Sequence, residues 1–167
     1  MAASPAPALQ PPHGFAEIVQ VFGDVRQYIG ADGNVTPQWP AEILTTIDLP
    51  FPMRLDWDHS KLVSKLCCHK RVASLFRAVL ADIQSHGLAD KVETYGGCYA
   101  FRAKRGLAQY SAHAWGIAID LNPATNALGT AGDMNAGLIQ VFEAHGFEWG
   151  GHFTRRDPMH FQFCRGY

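Results

Sequence analysis

The chain has 167 residues, 47% hydrophobic and 17% charged, and its 14 basic side chains nearly balance 15 acidic ones, for a formal net charge of −1. That length supports one hydrophobic core rather than two, and the composition is that of a globular domain, not a disordered chain. The even charge gives no global field for nucleic acid or an anionic membrane, and no apolar run approaches the ~20 residues needed to cross a bilayer, so neither nucleic-acid binding nor membrane insertion is expected.

Residues 1–12, rich in Ala and Pro, carry no core-forming pattern and read as a flexible arm ahead of a single domain at 13–167. Phe15, Ile18, Val19 and Phe22 fall at i, i+3, i+4 and i+7, a helical stripe interrupted at Gly23. From 30 to 57, Gly30, Gly33, Pro37, Pro40, Pro50 and Pro52 suggest irregular structure wrapped onto the core. Val72, Leu75, Phe76, Val79, Leu80 and Ile83 predict a helix from about Lys70 to His86, stopped by Gly87. Gly116, Ala118 and Asp120 alternate with Ile117, Ile119 and Leu121, the period-two pattern of a strand. A second helix is expected from near Asp133 to Gly146, and His160, Gln162 and Cys164 alternate with Phe161 and Phe163 in a C-terminal strand. Helices packed on a small, mainly antiparallel sheet make an α+β fold. Cys67, Cys68, Cys98 and Cys164 have no CxxC spacing and are expected as free thiols.

Chemistry concentrates in Ser111-Ala-His113-Ala-Trp-Gly-Ile-Ala-Ile-Asp120. Fully extended, the stretch from His113 to Asp120 would hold their Cα atoms about 23 Å apart, too far for one ion. The chain must bend between them, and Gly116 is the residue that tolerates it. A third donor, His160, opens a strand able to pair with the first. Two imidazoles and one carboxylate leave a fourth position for water, the pattern of catalytic rather than structural zinc, and Asp157, three residues before His160, is placed to act as general base.

The SxHxxGxAxD pattern, followed by DxxHF, resembles the zinc D,D-carboxypeptidase and L-alanyl-D-glutamate endopeptidase family, which includes VanY-type enzymes and many phage endolysins. It falls on Ser111, His113, Gly116, Ala118 and Asp120, then on Asp157, His160 and Phe161, and Gly146-Phe-Glu-Trp-Gly-Gly151 is similar to the GFxWGG segment of the endopeptidase-like branch. The resemblance spans roughly residues 60–164. It implies a hedgehog/D,D-peptidase-like fold, one zinc ion on His113, Asp120 and His160, Asp157 as base, and peptidoglycan stem peptides as substrate. It also points to Arg102, in Tyr99-Ala-Phe-Arg102, as the residue that holds a substrate carboxylate or stabilises an oxyanion.

Asp157 stands where the better-known carboxypeptidases often carry Glu, which shifts the expectation toward endopeptidase cleavage, with D-alanyl-D-alanine carboxypeptidase action and a non-catalytic zinc-containing wall-binding module as alternatives. Tyr99, Ser111 and Trp149 are candidate substrate contacts, although Ser111 serves equally to cap a turn and large aromatics are as often core. His145 reads as a helix C-terminal residue, His152 as a pocket-rim residue and Glu148 as a rival base. Arg102 with Lys104 and Arg105, and Arg155 with Arg156, form the local basic clusters, whose outer members ordinarily face solvent. With no basic start and apolar block at the N-terminus, the expectation is a monomer kept in the cytoplasm until a separate membrane pore releases it to the wall, as a phage or prophage lysin.

Overall fold

A computed structural model describes residues 8–104 and 109–167. Residues 1–7 of the expected arm and Arg105 of the basic cluster lie outside the described residues. Residues 8–12 run along the domain: Pro12 is buried and its carbonyl accepts from the Arg165 N–H at 2.9 Å.

Helix α1 (Gly14–Phe22) buries Ile18 and Phe22 and stops at Gly23, whose φ of 99° is open to glycine. A 3-10 turn at Val25–Tyr28 follows. The expected irregular stretch at 30–57 instead contains α2 (Gln38–Ile43) and an eleven-residue strand, β1 (Leu44–Arg54), paired antiparallel with β2 (Leu62–His69). Pro50 and Pro52 do not prevent this. They occupy exposed positions within the register break between Asp48 and Met53, in a two-stranded sheet where each strand has an unpaired edge, while Ile47, Phe51 and Met53 point into the core. Helix α3 (Ala73–Ser85) covers this sheet with Phe76, Val79, Leu80 and Ile83 and ends before Gly87.

The second sheet holds the chemistry. Its order is β3 (Tyr95–Gly97), β4 (Ala118–Leu121), β6 (His160–Gln162) and β5 (Glu148–Trp149), with every neighbouring pair antiparallel. Helix α4 (Ala136–Ala144), capped at Asn135 by side-chain acceptance from the Gly137 and Leu138 N–H groups, packs on β5 and α3. Phe142 stacks on Phe161 at 4.1 Å between ring centroids, fixing the helix to the central strand β6. The expected α+β class with mainly antiparallel strands is what the chain adopts, though the strands form two sheets.

His69, at the end of β2, is 2% exposed. Its Nδ1 accepts from the Arg71 N–H at 3.0 Å and its Nε2–H donates to the Phe22 carbonyl at 3.2 Å, so the neutral ring is fully used. Burial first, and then the charges of Lys70 and Arg71, lower its pKa from 6.5 to about 4 against the raising effect of the Phe22 hydrogen bond. The unfolded chain therefore binds one proton more between those values. This contribution, on the order of 3 kcal/mol, is fully present above pH 6.5 and is lost as pH falls toward 4. Urea unfolding at pH 7.5 and 5 should show wild type losing more stability than His69→Gln. An equal loss in both would contradict this account.

Candidate metal centre

His113 reaches the centre from a 3-10 turn, Ala112–Trp115, that is capped by the Ser111 hydroxyl accepting from the His113 N–H at 3.3 Å. Gly116 then adopts a left-handed conformation with φ 67° and turns the chain into β4. A Cβ there would lie 2.9 Å from the His69 nitrogen and from Leu44 Cδ2, so the bend is closed to other residues by contact as well as by φ. On β4 and β6, Asp120 pairs directly with His160. Opposite residues of an antiparallel pair project to the same face, which brings the carboxylate and the second imidazole together.

The three donors converge. Asp120 Oδ1 lies 3.1 Å from His113 Nε2 and 3.0 Å from His160 Nδ1, and the two nitrogens are 3.2 Å apart. All three residues are buried, and they form a group able to hold a metal ion. Ligand atoms about 2.0–2.1 Å from a tetrahedral zinc are roughly 3.3–3.4 Å apart, close to the spacing seen. The outer ring nitrogens are also used: His113 Nδ1 contacts the Cys98 carbonyl at 2.6 Å and His160 Nε2 contacts Gln162 Oε1 at 3.0 Å. Both partners are oxygen acceptors, so the outer nitrogens carry protons, and the inner nitrogens face Asp120 through a shared proton or offer their lone pairs to a cation held between them.

Burial pushes the Asp120 carboxyl pKa up, but the charge of His113 and hydrogen bonds from His113 and His160 overcome it and hold the carboxyl well below its ordinary range. Burial likewise opposes charge on His160, and the Asp120 hydrogen bond and charge, with the charge of Asp157, reverse this and raise its pKa. A buried anion ringed by imidazole nitrogens calls for positive charge, which protons or a divalent cation supply. The donor set suits zinc.

A cavity of about 250 Å³ opens over Asp120 and His160, while His113 is buried beneath them. Asp157 lines it. So does Arg102, whose Nη2 is 3.9 Å from Asp120 Oδ2. Ser111 lines it too, besides capping the turn. Lys104 and Arg155 also line it, with Phe153 and Tyr167; Arg155 faces solvent as expected from its cluster, whereas Lys104 is partly buried. Lys104 Nζ sits 3.5 Å over the Tyr167 ring, and burial lowers its pKa.

Other candidates lie apart from this cavity. Trp149 donates to the Pro158 carbonyl at 2.8 Å and backs the Asp157–Pro158 turn from outside the wall. Tyr99 is half-buried and is not among the lining residues. His152 is exposed and paired with Glu143 at 3.0 Å, and His145 caps α4 and reaches Asp82 at 2.7 Å. Trp115 is wholly buried, donating to the Gly23 carbonyl. Gly150 explains one glycine of the GFxWGG segment: a Cβ there would overlap the Asp157 carbonyl oxygen, and the Asp157 N–H donates to the Gly150 carbonyl at 2.9 Å. The strand end and the Asp157 turn touch through backbone.

Residues 105–163 match the family model of D-alanyl-D-alanine carboxypeptidase. The match covers about a third of the chain and includes His113, Asp120, Asp157 and His160, but not Arg102. It supports a peptidase that acts on peptidoglycan. No curated protein matches the chain. Among the described residues, no helix is long and apolar enough to cross a membrane.

Proposed function

We propose that this protein is a zinc peptidase that hydrolyses peptidoglycan stem peptides at the L-alanyl-D-glutamate bond. The observation that carries the reading is the convergence of three buried donors, His113, Asp120 and His160, beneath a cavity that Asp120 and His160 line and whose wall holds Asp157. When bound, zinc supplies a Lewis acid that makes water acidic near neutral pH. Asp157 accepts the proton of the attacking water and returns it to the departing amine nitrogen. Arg102, at the cavity edge of Asp120, faces a substrate carboxylate or the oxyanion that develops on the scissile carbonyl. Endopeptidase specificity rests on Asp157 in place of Glu and on the Gly146–Gly151 segment, which are similar to the endolysin branch. In that setting the protein acts as a monomer held in the cytoplasm until a membrane pore releases it to the wall.

D-alanyl-D-alanine carboxypeptidase action is favoured by a specific feature, the three cations Arg102, Lys104 and Arg155 in the cavity wall, which suit a free terminal carboxylate. The family description points the same way. Incubation of zinc-loaded protein with purified peptidoglycan, with new termini identified by mass spectrometry, separates the two. New amino termini on D-glutamate are the expected result. Released D-alanine would move the assignment to the carboxypeptidase, and no cleavage by a zinc-binding protein would leave a wall-binding module.

A further inference from the structure

His160 is held at both ring nitrogens, and the partner on its outer side is a buried glutamine of its own strand. Gln162, 2% exposed, follows His160 by two residues and so projects to the same face of β6. Its Oε1 lies 3.0 Å from His160 Nε2, and its Nε2 donates to Glu148 Oε2 at 3.1 Å and to the Tyr167 carbonyl at 3.2 Å. A backbone carbonyl can only accept, so the amide nitrogen must face Tyr167 and the amide oxygen must face His160. The shared proton then belongs to His160 Nε2, so that Nδ1, facing Asp120, is the nitrogen whose lone pair is available to a metal ion. Strand pairing supports the arrangement from both sides, with Ala118 of β4 and Glu148 of β5 opposite Gln162.

We propose that Gln162, anchored by Glu148, is a positioning residue that fixes the tautomer and ring orientation of His160 and thereby sets the affinity of the centre for zinc. The inference rests on His113, Asp120 and His160 being the metal ligands. It gives Glu148, the rival base of the sequence, a different role: it is absent from the cavity wall and spends a carboxylate oxygen on the Gln162 amide.

Zinc affinity, measured by chelator competition, and the visible spectrum of the cobalt(II) form test this without reference to turnover. Gln162→Leu removes the acceptor for the His160 Nε2–H and should weaken zinc binding by ~10–100-fold, with an altered cobalt spectrum. Although the Tyr167 oxygen loses its donor, a cost that falls on stability and not on the His160 contact, the double variant Gln162→Glu/Glu148→Gln restores an acceptor beside His160 and a donor–acceptor pair between β6 and β5. It should return affinity to within about threefold of wild type, well inside the loss expected of the single variant, and recover the spectrum. Wild-type affinity and spectrum in Gln162→Leu would overturn the proposal. Should Gln162→Leu fail to fold by circular dichroism, the double variant decides: folded with recovered affinity it supports the proposal, and folded with weak affinity it refutes it. A wild-type protein that binds no zinc would instead remove the metal centre on which the inference stands.

Discussion

Asp157→Ala is expected to lower kcat on peptidoglycan peptides by ~10²–10⁴-fold, the usual contribution of a positioned general base, while zinc stays bound. The separation is physical. Asp157 lines the cavity but is not one of the three converging donors, so its loss removes proton transfer and leaves the ligand set whole. Its backbone position is held independently of its carboxylate, by the N–H donated to Gly150 and the carbonyl that accepts from the His160 N–H at 3.0 Å. The alanine variant should therefore keep the turn. Kinetics beside zinc content by atomic absorption check both halves. Activity within a few-fold of wild type would dismiss Asp157 as the base, and loss of zinc would show that it contributes to the centre.

The second large effect concerns Asp120. The asparagine variant keeps the volume but removes the charge that His113 and His160 surround. A zinc site worth ~10–16 kcal/mol over four ligands places about 3–4 kcal/mol on each, so Asp120→Asn should weaken zinc binding on the order of 10²–10³-fold. Stability reads the same loss. Zinc at about a thousand times its dissociation constant stabilises the wild type by ~4 kcal/mol, or roughly 8–16 °C in Tm for a domain of this size. The same zinc concentration should raise the Tm of Asp120→Asn far less. A wild-type Tm that does not respond to zinc would argue that the three donors are only a buried hydrogen-bonded cluster.

Much of the centre was legible in the sequence because its strands obey period two. Asp120 and His160 each sit in a short alternating run, and a distance argument alone required the bend that Gly116 supplies with its positive φ. The first sheet was not legible. Pro50 and Pro52 read as breakers, yet Ile47, Phe51 and Met53 carry an inward alternation that the prolines, on the solvent side, do not disturb.

Side chains around the cavity were legible to different degrees. Gln162 could have been found from its two-residue spacing to His160, whereas the Cys98 carbonyl that orients His113 is backbone and leaves no mark in residue type. Lys104 looked like solvated charge because a basic cluster has no periodicity that reveals a concave wall, whereas Arg155 is solvated as expected and still borders the cavity. Trp149 carries the opposite lesson. An aromatic next to the motif backs the Asp157 turn through its indole N–H instead of lining the cavity.

Anomalous diffraction at the zinc edge, from crystals of the zinc-loaded protein, tests the central claim most directly. The account predicts one strong peak bounded by His113 Nε2, an Asp120 carboxylate oxygen and His160 Nδ1, with Asp157 outside bonding distance. A protein without a peak there, or with its zinc on cysteine sulfur instead, would contradict it.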